Sequence, residues 1–345
     1  MEDYIKALNK IIPKELEVFR RRYSILKGIH LFQPIGRRAL SDKIDLSEKM
    51  VRTETEFLKK ENCIKSSGVG MELLDKGNQL LEDLGPFVKM MDGLVTVEEK
   101  VKQILGCKEV FIVPGNADED EEAGHNIGHK AADVLLQKIE PNDVIALTGG
   151  STVQGVIEEL SSTDIHIKNV TVVPARGSLG RNVAYQANTL VAMLGDKINC
   201  PYYLLNIPDN LSQKALESVR EEPEIQAALE QLLKANILVY GIGNAFKMAK
   251  RRNLSKVVVD ELRRKNATAE ALGYYFDNEG HIIYTSRSIG ISVEQMTELK
   301  YPIAVAGGYS KSDAILSVRD ILSKGCVIMD EGAARGILEK DKNNG

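Results

Sequence analysis

The residues with the most concentrated chemistry are Thr148-Gly149-Gly150-Ser151-Thr152. Two glycines let a backbone approach a ligand without Cβ obstruction. Ser151 and Thr152 add two hydroxyl donors. The apolar run Val144–Leu147 and the periodic run at 153–160 predict strand, tight turn, helix. The first amides of such a helix lack intrahelical partners, and its dipole is positive there, so the turn fits a phosphate. An ordinary turn with a Ser or Thr N-cap is the plainer alternative.

Other groups could meet the same anion. Arg176 stands in Ala175-Arg176-Gly177, just past an apolar run at 170–173. Arg251 and Arg252 follow the run at 237–240 and its glycines, and Lys311 follows Gly307-Gly308-Tyr309-Ser310. Each alone reads as a surface cation. Together they suggest a ligand with one or two phosphates and a polar middle, whose sugar hydroxyls Gln186 and Glu270 could bind. Neither GxGxxG nor GxxxxGK[ST] is completed, so a dinucleotide or P-loop site is not indicated. His125 and His129 are four apart on a predicted helix, a spacing that can bind metal, but a solvated face after the acidic run 118–122 is the plainer reading. No metal and no cofactor are expected.

These groups need a scaffold that gathers them. Apolar runs at 110–113, 144–147, 170–173, 202–205, 237–240, 303–306 and 327–329 alternate with helical patterns. That alternation predicts a parallel sheet covered on both faces. Right-handed crossovers place the strand-following loops on one edge, where ligands bind at a topological switch point. Gly149, Arg176, Gly243, Gly308 and Glu331 should share that edge. A hairpin is expected over 274–284.

The first 65 residues differ in kind. They carry 15 Lys/Arg and 10 Asp/Glu, against 30 and 39 in the remaining 280. A basic head on an acidic body suggests a nucleic-acid module. Residues 4–33 read as helical, with Arg20-Arg21-Arg22 as a solvated face. After Pro34-Ile35-Gly36, a short helix begins at Arg37-Arg38. Ser47 then caps a helix over 48–60, and 63–74 reads as two strands around a glycine turn. That order is a winged helix-turn-helix, although any small three-helix domain would share part of it. Met50, Val51, Phe57 and Leu58 should face inward, leaving Lys49, Arg52, Thr53 and Thr55 outward. Ser47, Glu48, Lys49, Arg52 and Thr53 would lie nearest base edges, and Arg37 and Arg38 would hold phosphates. Residues 75–105 read as a connecting helix interrupted at Gly85-Pro86. The division expected is 1–90 for DNA with its connector and 91–345 for ligand and oligomerisation.

A hydrophobic content of 43% with 27% charged residues is that of a soluble globular chain. No apolar run approaches the ~20 residues of a membrane span. Cys63, Cys107, Cys200 and Cys326 form no CxxC pair, which suggests reduced thiols and a cytoplasmic location.

Several stretches match one pattern in one order. They are Thr148-Gly149-Gly150-Ser151-Thr152, Val173-Pro174-Ala175-Arg176-Gly177, Gln186-Ala187-Asn188, Gly241-Ile242-Gly243, Arg251-Arg252-Asn253, Glu270-Ala271-Leu272-Gly273-Tyr274-Tyr275-Phe276 and Ala306-Gly307-Gly308. With Pro34-Ile35-Gly36-Arg37-Arg38 and Asp330-Glu331-Gly332-Ala333-Ala334, the chain resembles the sorbitol-operon-regulator family of bacterial repressors over nearly its whole length. The resemblance implies an α/β protein: an N-terminal winged helix-turn-helix and a C-terminal doubly wound, Rossmann-like domain of the sugar-phosphate-isomerase type, retained as a sensor. It implies fructose 1,6-bisphosphate as effector. One phosphate would sit at Gly149, Gly150, Ser151 and Thr152 near Arg251 and Lys311. Arg176, Gln186 and Glu270 would contact the rest. Family members often have Thr where this chain has Ser151, which keeps the hydroxyl.

Two functions follow. One is a non-enzymatic repressor, a homodimer or homotetramer on operator double-stranded DNA, relieved by a sugar phosphate. The other is a sugar-phosphate isomerase or deaminase with Glu270 or Glu331 as base. No histidine falls in the glycine-edge loops, and the winged helix argues for the repressor.

Overall fold

The structure, a computed structural model, describes residues 2–160, 167–177, 183–207, 212–286 and 288–344. Two compact units, 1–95 and 96–345, are described separately.

The first unit opens with α1 (Glu2–Ile11) and α2 (Pro13–Phe32), followed by α3 (Arg37–Lys43) and α4 (Glu48–Lys60). Ser47 caps α4 by accepting from the Met50 N–H. An antiparallel hairpin, β1 (Ile64–Ser66) and β2 (Met71–Leu73), forms the wing, and α5 (Asp75–Met91) closes the unit. Ile25, Ile29, Leu40, Val51 and Leu58 form the core.

Three expectations need correction here. Met50 and Phe57 are 44% and 39% exposed, while Glu54 and Thr55 are buried. The inward stripe is therefore Val51, Glu54, Thr55 and Leu58, a face turned from the purely apolar one. The buried Thr55 hydroxyl is satisfied by donating to Val51 O at 2.7 Å. Arg20, Arg21 and Arg22 are not a solvated row. Arg21 and Arg22 both pair with the buried Glu54 carboxylate, at 3.1 and 2.7 Å, and Arg20 pairs with Asp92 at 2.7 Å. Helix α5 also runs through Pro86. The break falls at Gly93, whose φ of +71° suits glycine and whose N–H closes onto Met90 O.

The second unit contains, in order, β3 (Glu109–Val113), α7 (Glu121–Lys138), β4 (Val144–Leu147), α8 (Ser151–Glu159), β5 (Thr171–Pro174), α9 (Ala187–Lys197), α10 (Gln213–Arg220), α11 (Pro223–Leu232) and β6 (Ile237–Gly241). It is preceded by α6 (Leu94–Leu105). Next come β7 (Gly243–Asn244), α12 (Ala245–Arg251), α13 (Lys256–Arg264), β8 (Ala269–Ala271), β9 (Tyr274–Phe276), β10 (Ile282–Thr285) and α14 (Val293–Glu298). The chain ends with β11 (Tyr301–Val305), α15 (Ser312–Ser317), α16 (Arg319–Leu322), β12 (Cys326–Asp330) and α17 (Glu331–Asn344).

Six strands form a parallel sheet in the order β3-β12-β11-β6-β4-β5. Every residue of β4 and β12 is buried, as expected of strands covered on both faces. The direction of winding reverses between β4 and β6, so a crevice opens beyond their carboxyl ends. A smaller antiparallel sheet, β10-β9-β8-β7, stands beside that edge and contains the expected 274–284 hairpin. The 202–205 segment is not a strand. It makes a single parallel bridge, Val172 to Tyr202, because β5 is the sheet's edge and pairs there only briefly.

Candidate functional site

The crevice between β4 and β6 holds a cavity of about 190 Å³. Gly149, Gly150, Ser151, Thr152, Arg176, Arg251, Glu270 and Lys311 all line it. Gln186 does not. It is the N-cap residue of α9, with its backbone against Gly149. Thr148, Lys247, Arg252 and Leu272 line the cavity in addition.

The glycine turn is built by close approach. A Cβ at Gly149 would strike Tyr185 O, and the Gly150 N–H donates to that carbonyl at 2.9 Å. Gly150 has φ +134°, open to glycine and strained for other residues. It is also the N-cap of α8 and has no side chain to close the helix end. Lys311 reaches the turn from the loop after β11, with Nζ 3.4 Å from Thr152 Oγ1. Burial pushes its ammonium down to about 8. Asp330 and Asp118 oppose that shift, and Arg251 and Lys247 add to it.

The opposite wall is a buried charge network. Arg252 Nη2 donates to Glu270 Oε1 at 2.6 Å, and both side chains are about 5% exposed or less. The Gly273 N–H donates to the same carboxylate oxygen at 2.6 Å. Arg176 Nη2 and Arg252 Nη1 each donate to Ser286 Oγ at 3.0 Å. Ser286 Oγ in turn donates to Gly273 O. Gly273, at φ +86°, leaves space that a Cβ would take from the Arg176 guanidinium.

Five cationic side chains and one carboxylate therefore face the cavity. Arg176 and the Arg252 side chain are buried while Lys247 and Arg251 are exposed; buried cations require compensation, so the excess suits an anion. Two buried polar atoms of the lining, Thr148 Oγ1 and Arg252 Nε, have no hydrogen-bond partner among the described residues. Native interiors rarely leave such groups unpaired, and a ligand would pair them.

The sequence offers both Arg251 and Arg252, and the resemblance places Arg251 near the phosphate. Arg252 holds Glu270, whereas Arg251 is exposed at the cavity rim. The Arg-Arg pair gave no signal to choose between them, because the end of α12 sets which one turns inward. Thr148 opens the glycine motif and lines the cavity, although the expected ligand set begins at Gly149. Ser286 carried no local signal. His125 pairs with Glu159 at 2.7 Å.

In the first unit, Arg37, Arg38, Ser47, Glu48, Lys49, Arg52 and Thr53 are all exposed, on α3 and the start of α4. Arg52 pairs with Glu56 at 3.3 Å, both side chains being well exposed, so the contact is weak and easily exchanged. The Thr53 hydroxyl donates to Lys49 O. Phe57 lies under the Arg22 guanidinium, 3.5 Å from its ring centroid. The exposed amino-terminal half of α4 thus combines cationic, hydroxyl and thioether groups. A helix in a major groove would use such groups on base edges.

Residues 89–339 match the sugar-binding domain family, and residues 18–88 match the CggR N-terminal DNA-binding domain. The chain is 34% identical to a crystal structure assigned to the SorC transcriptional regulators, from Enterococcus faecalis. The match has a TM-score of 0.66 and covers 70% of this chain and 99% of that one.

The chain belongs to the SorC family of sugar-binding transcriptional regulators.

Among SorC-family relatives it is similar to two central glycolytic genes regulators. It is 35% identical to that of Priestia megaterium, over 98% of this chain and 99% of the relative. It is also 35% identical to that of Bacillus subtilis, over 99% and 100%. SorC-family membership identifies the helix-turn-helix unit as a DNA-binding domain and the parallel-sheet unit as a sugar-binding domain. No helix among the described residues is long and apolar enough to cross a membrane.

Proposed function

We propose that this chain is a cytoplasmic, homo-oligomeric repressor of glycolytic genes whose grip on operator DNA is relieved by fructose 1,6-bisphosphate. The observation that carries the reading is the cationic cavity at the switch point, with buried donors at both ends and two polar atoms unpaired. Gly149, Gly150, Ser151, Thr152 and Lys311 suit one phosphate. Arg176 and Arg252, with Glu270 between charge and sugar, suit the remainder of a sugar bisphosphate. The names of the full-length relatives support glycolytic genes as the target. The ligand acts by its difference in affinity between the DNA-competent and released states, and the coupling is reciprocal.

The carboxylates near the cavity favour a sensor over an isomerase. A catalytic base needs a free carboxylate near a sugar carbon. Glu270 is held by Arg252 and the Gly273 N–H, and Glu331 is paired with Arg335. Asp330 accepts from the N–H groups of Ala117, Gly308 and Ala333. Each is already engaged by donors, so none is a free carboxylate aimed at a sugar carbon.

The test is operator affinity on a footprinted promoter fragment, measured with and without fructose 1,6-bisphosphate. Weaker or less cooperative binding with the ligand is expected. Unchanged affinity and cooperativity would refute the reading. Arg52→Ala should weaken DNA binding and spare the ligand, and Thr152→Ala should do the reverse.

A further inference from the structure

The loop that carries Lys311 is held from behind by three acceptors. The Gly308 N–H donates to Asp330 Oδ2 at 2.7 Å, and the Tyr309 N–H donates to Asn116 Oδ1 at 3.1 Å. The Ser310 N–H donates to Asp118 Oδ2 at 2.7 Å, and Ser310 Oγ donates to Asp118 Oδ1 at 2.8 Å. Three successive amides are thus taken by side chains lying 192 or 193 residues earlier or 22 later. With those amides occupied, the loop offers the cavity its lysine. Gly308, at φ +95°, brings its backbone so close to Asp118 that a Cβ would strike the carboxylate.

Such a clamp answers a need. Lys311 is enclosed near Arg251 and Lys247, where a charged ammonium is disfavoured. A released loop would let it swing into water. Asp118 is not among the residues lining the cavity; it acts on Lys311 through its hold on Ser310 and through its charge, which favours the ammonium.

We propose that Asp118 is a positioning residue for the anion site, holding Ser310 so that Lys311 stays at Thr152. This rests on the reading of the cavity as a sugar-phosphate pocket. It also separates Asp118 from Asp120, two residues on, whose side chain caps α7.

The test is calorimetric titration of the full chain with inorganic phosphate and, separately, with fructose 1,6-bisphosphate. The proteins compared are wild type, Asp118→Ala, Ser310→Ala, Lys311→Met and the double variant Asp118→Ala/Lys311→Met. Loss of a charge-assisted clamp should weaken both ligands about ten-fold in Asp118→Ala. Ser310→Ala, which keeps the amide contact, should weaken them less. The double variant should be no weaker than Lys311→Met alone. The pH at which affinity declines should move lower in Asp118→Ala, because a carboxylate favouring the ammonium is gone. Packing alone would not move it. Unchanged affinity in Asp118→Ala, or additive losses in the double variant, overturns the proposal. Wild type that binds phosphate but not the sugar bisphosphate overturns the sugar reading, while the phosphate series still decides the role of Asp118. Wild type that binds neither overturns both.

Discussion

Replacing Arg252 with methionine should expose how much the sugar-binding unit depends on its buried ion pair. The Arg252 and Glu270 side chains are 5% and 4% exposed and 2.6 Å apart. Removing one partner of such a pair typically costs about 3–5 kcal/mol, because the other charge is left buried. Glu270 would keep the Gly273 N–H, and Arg176 would remain on Ser286, so the lower figure, about 3 kcal/mol, applies. For a unit of this size each kcal/mol lowers the melting temperature by about 2–4 °C, giving a drop of about 6–12 °C. Thermal unfolding followed by circular dichroism measures it. Arg252→Met/Glu270→Met removes both charges and should recover at least half the loss. The single variant should also bind fructose 1,6-bisphosphate at least ten-fold more weakly by calorimetry. A single variant melting within 2 °C of wild type, or a double variant no more stable than the single, would refute the argument that the pair is buried and coupled.

Three further outcomes are expected. Lys311 is depressed from 10.5 to about 8, so below pH 8 the full penalty of its buried charge is present. Between pH 8 and 10.5 the unfolded lysine holds a proton that the folded one has released, so that penalty fades as pH rises. A phosphate beside Lys311 restores the charge. Ligand binding near pH 8.5 should therefore take up a proton, seen as buffer-dependent calorimetric heats that vanish in Lys311→Met, and proton release would contradict it. Glu54→Gln leaves Arg21 and Arg22 without their carboxylate. The arginine side chains are 18% and 33% exposed and can partly rehydrate, so the loss should be about 2 kcal/mol. Operator affinity should fall and ligand calorimetry should not change; equal losses in both would refute the assignment. Gly273→Ala forces a side chain into φ +86° and into the Arg176 guanidinium. Ligand binding should be lost while the parallel-sheet core stays folded, and retained affinity would show that Arg176 is not needed where it stands.

What the sequence determined by itself was what short windows encode. The apolar run of β4, two glycines and two hydroxyls specify strand, turn and helix start within nine residues. The same holds for Ser47 ahead of α4, and for the change from helical periodicity to buried strands near residue 109. Even there, the azimuth of α4 was misread. Apolar spacing pointed Met50 and Phe57 inward, but Arg21 and Arg22 draw Glu54 into the interface and rotate those two outward. Only the tertiary structure decided which distant groups meet. Placing β4 beside β6 brings Thr152, Arg252 and Glu270 around one cavity. Ser286 lies 110 residues from Arg176, and Asp118 lies 192 from Ser310. Local propensity acts over a few residues, whereas compensation of buried charge acts through space. The glycine turn was therefore legible in the sequence, and the network that makes it one end of a sugar-phosphate pocket was not.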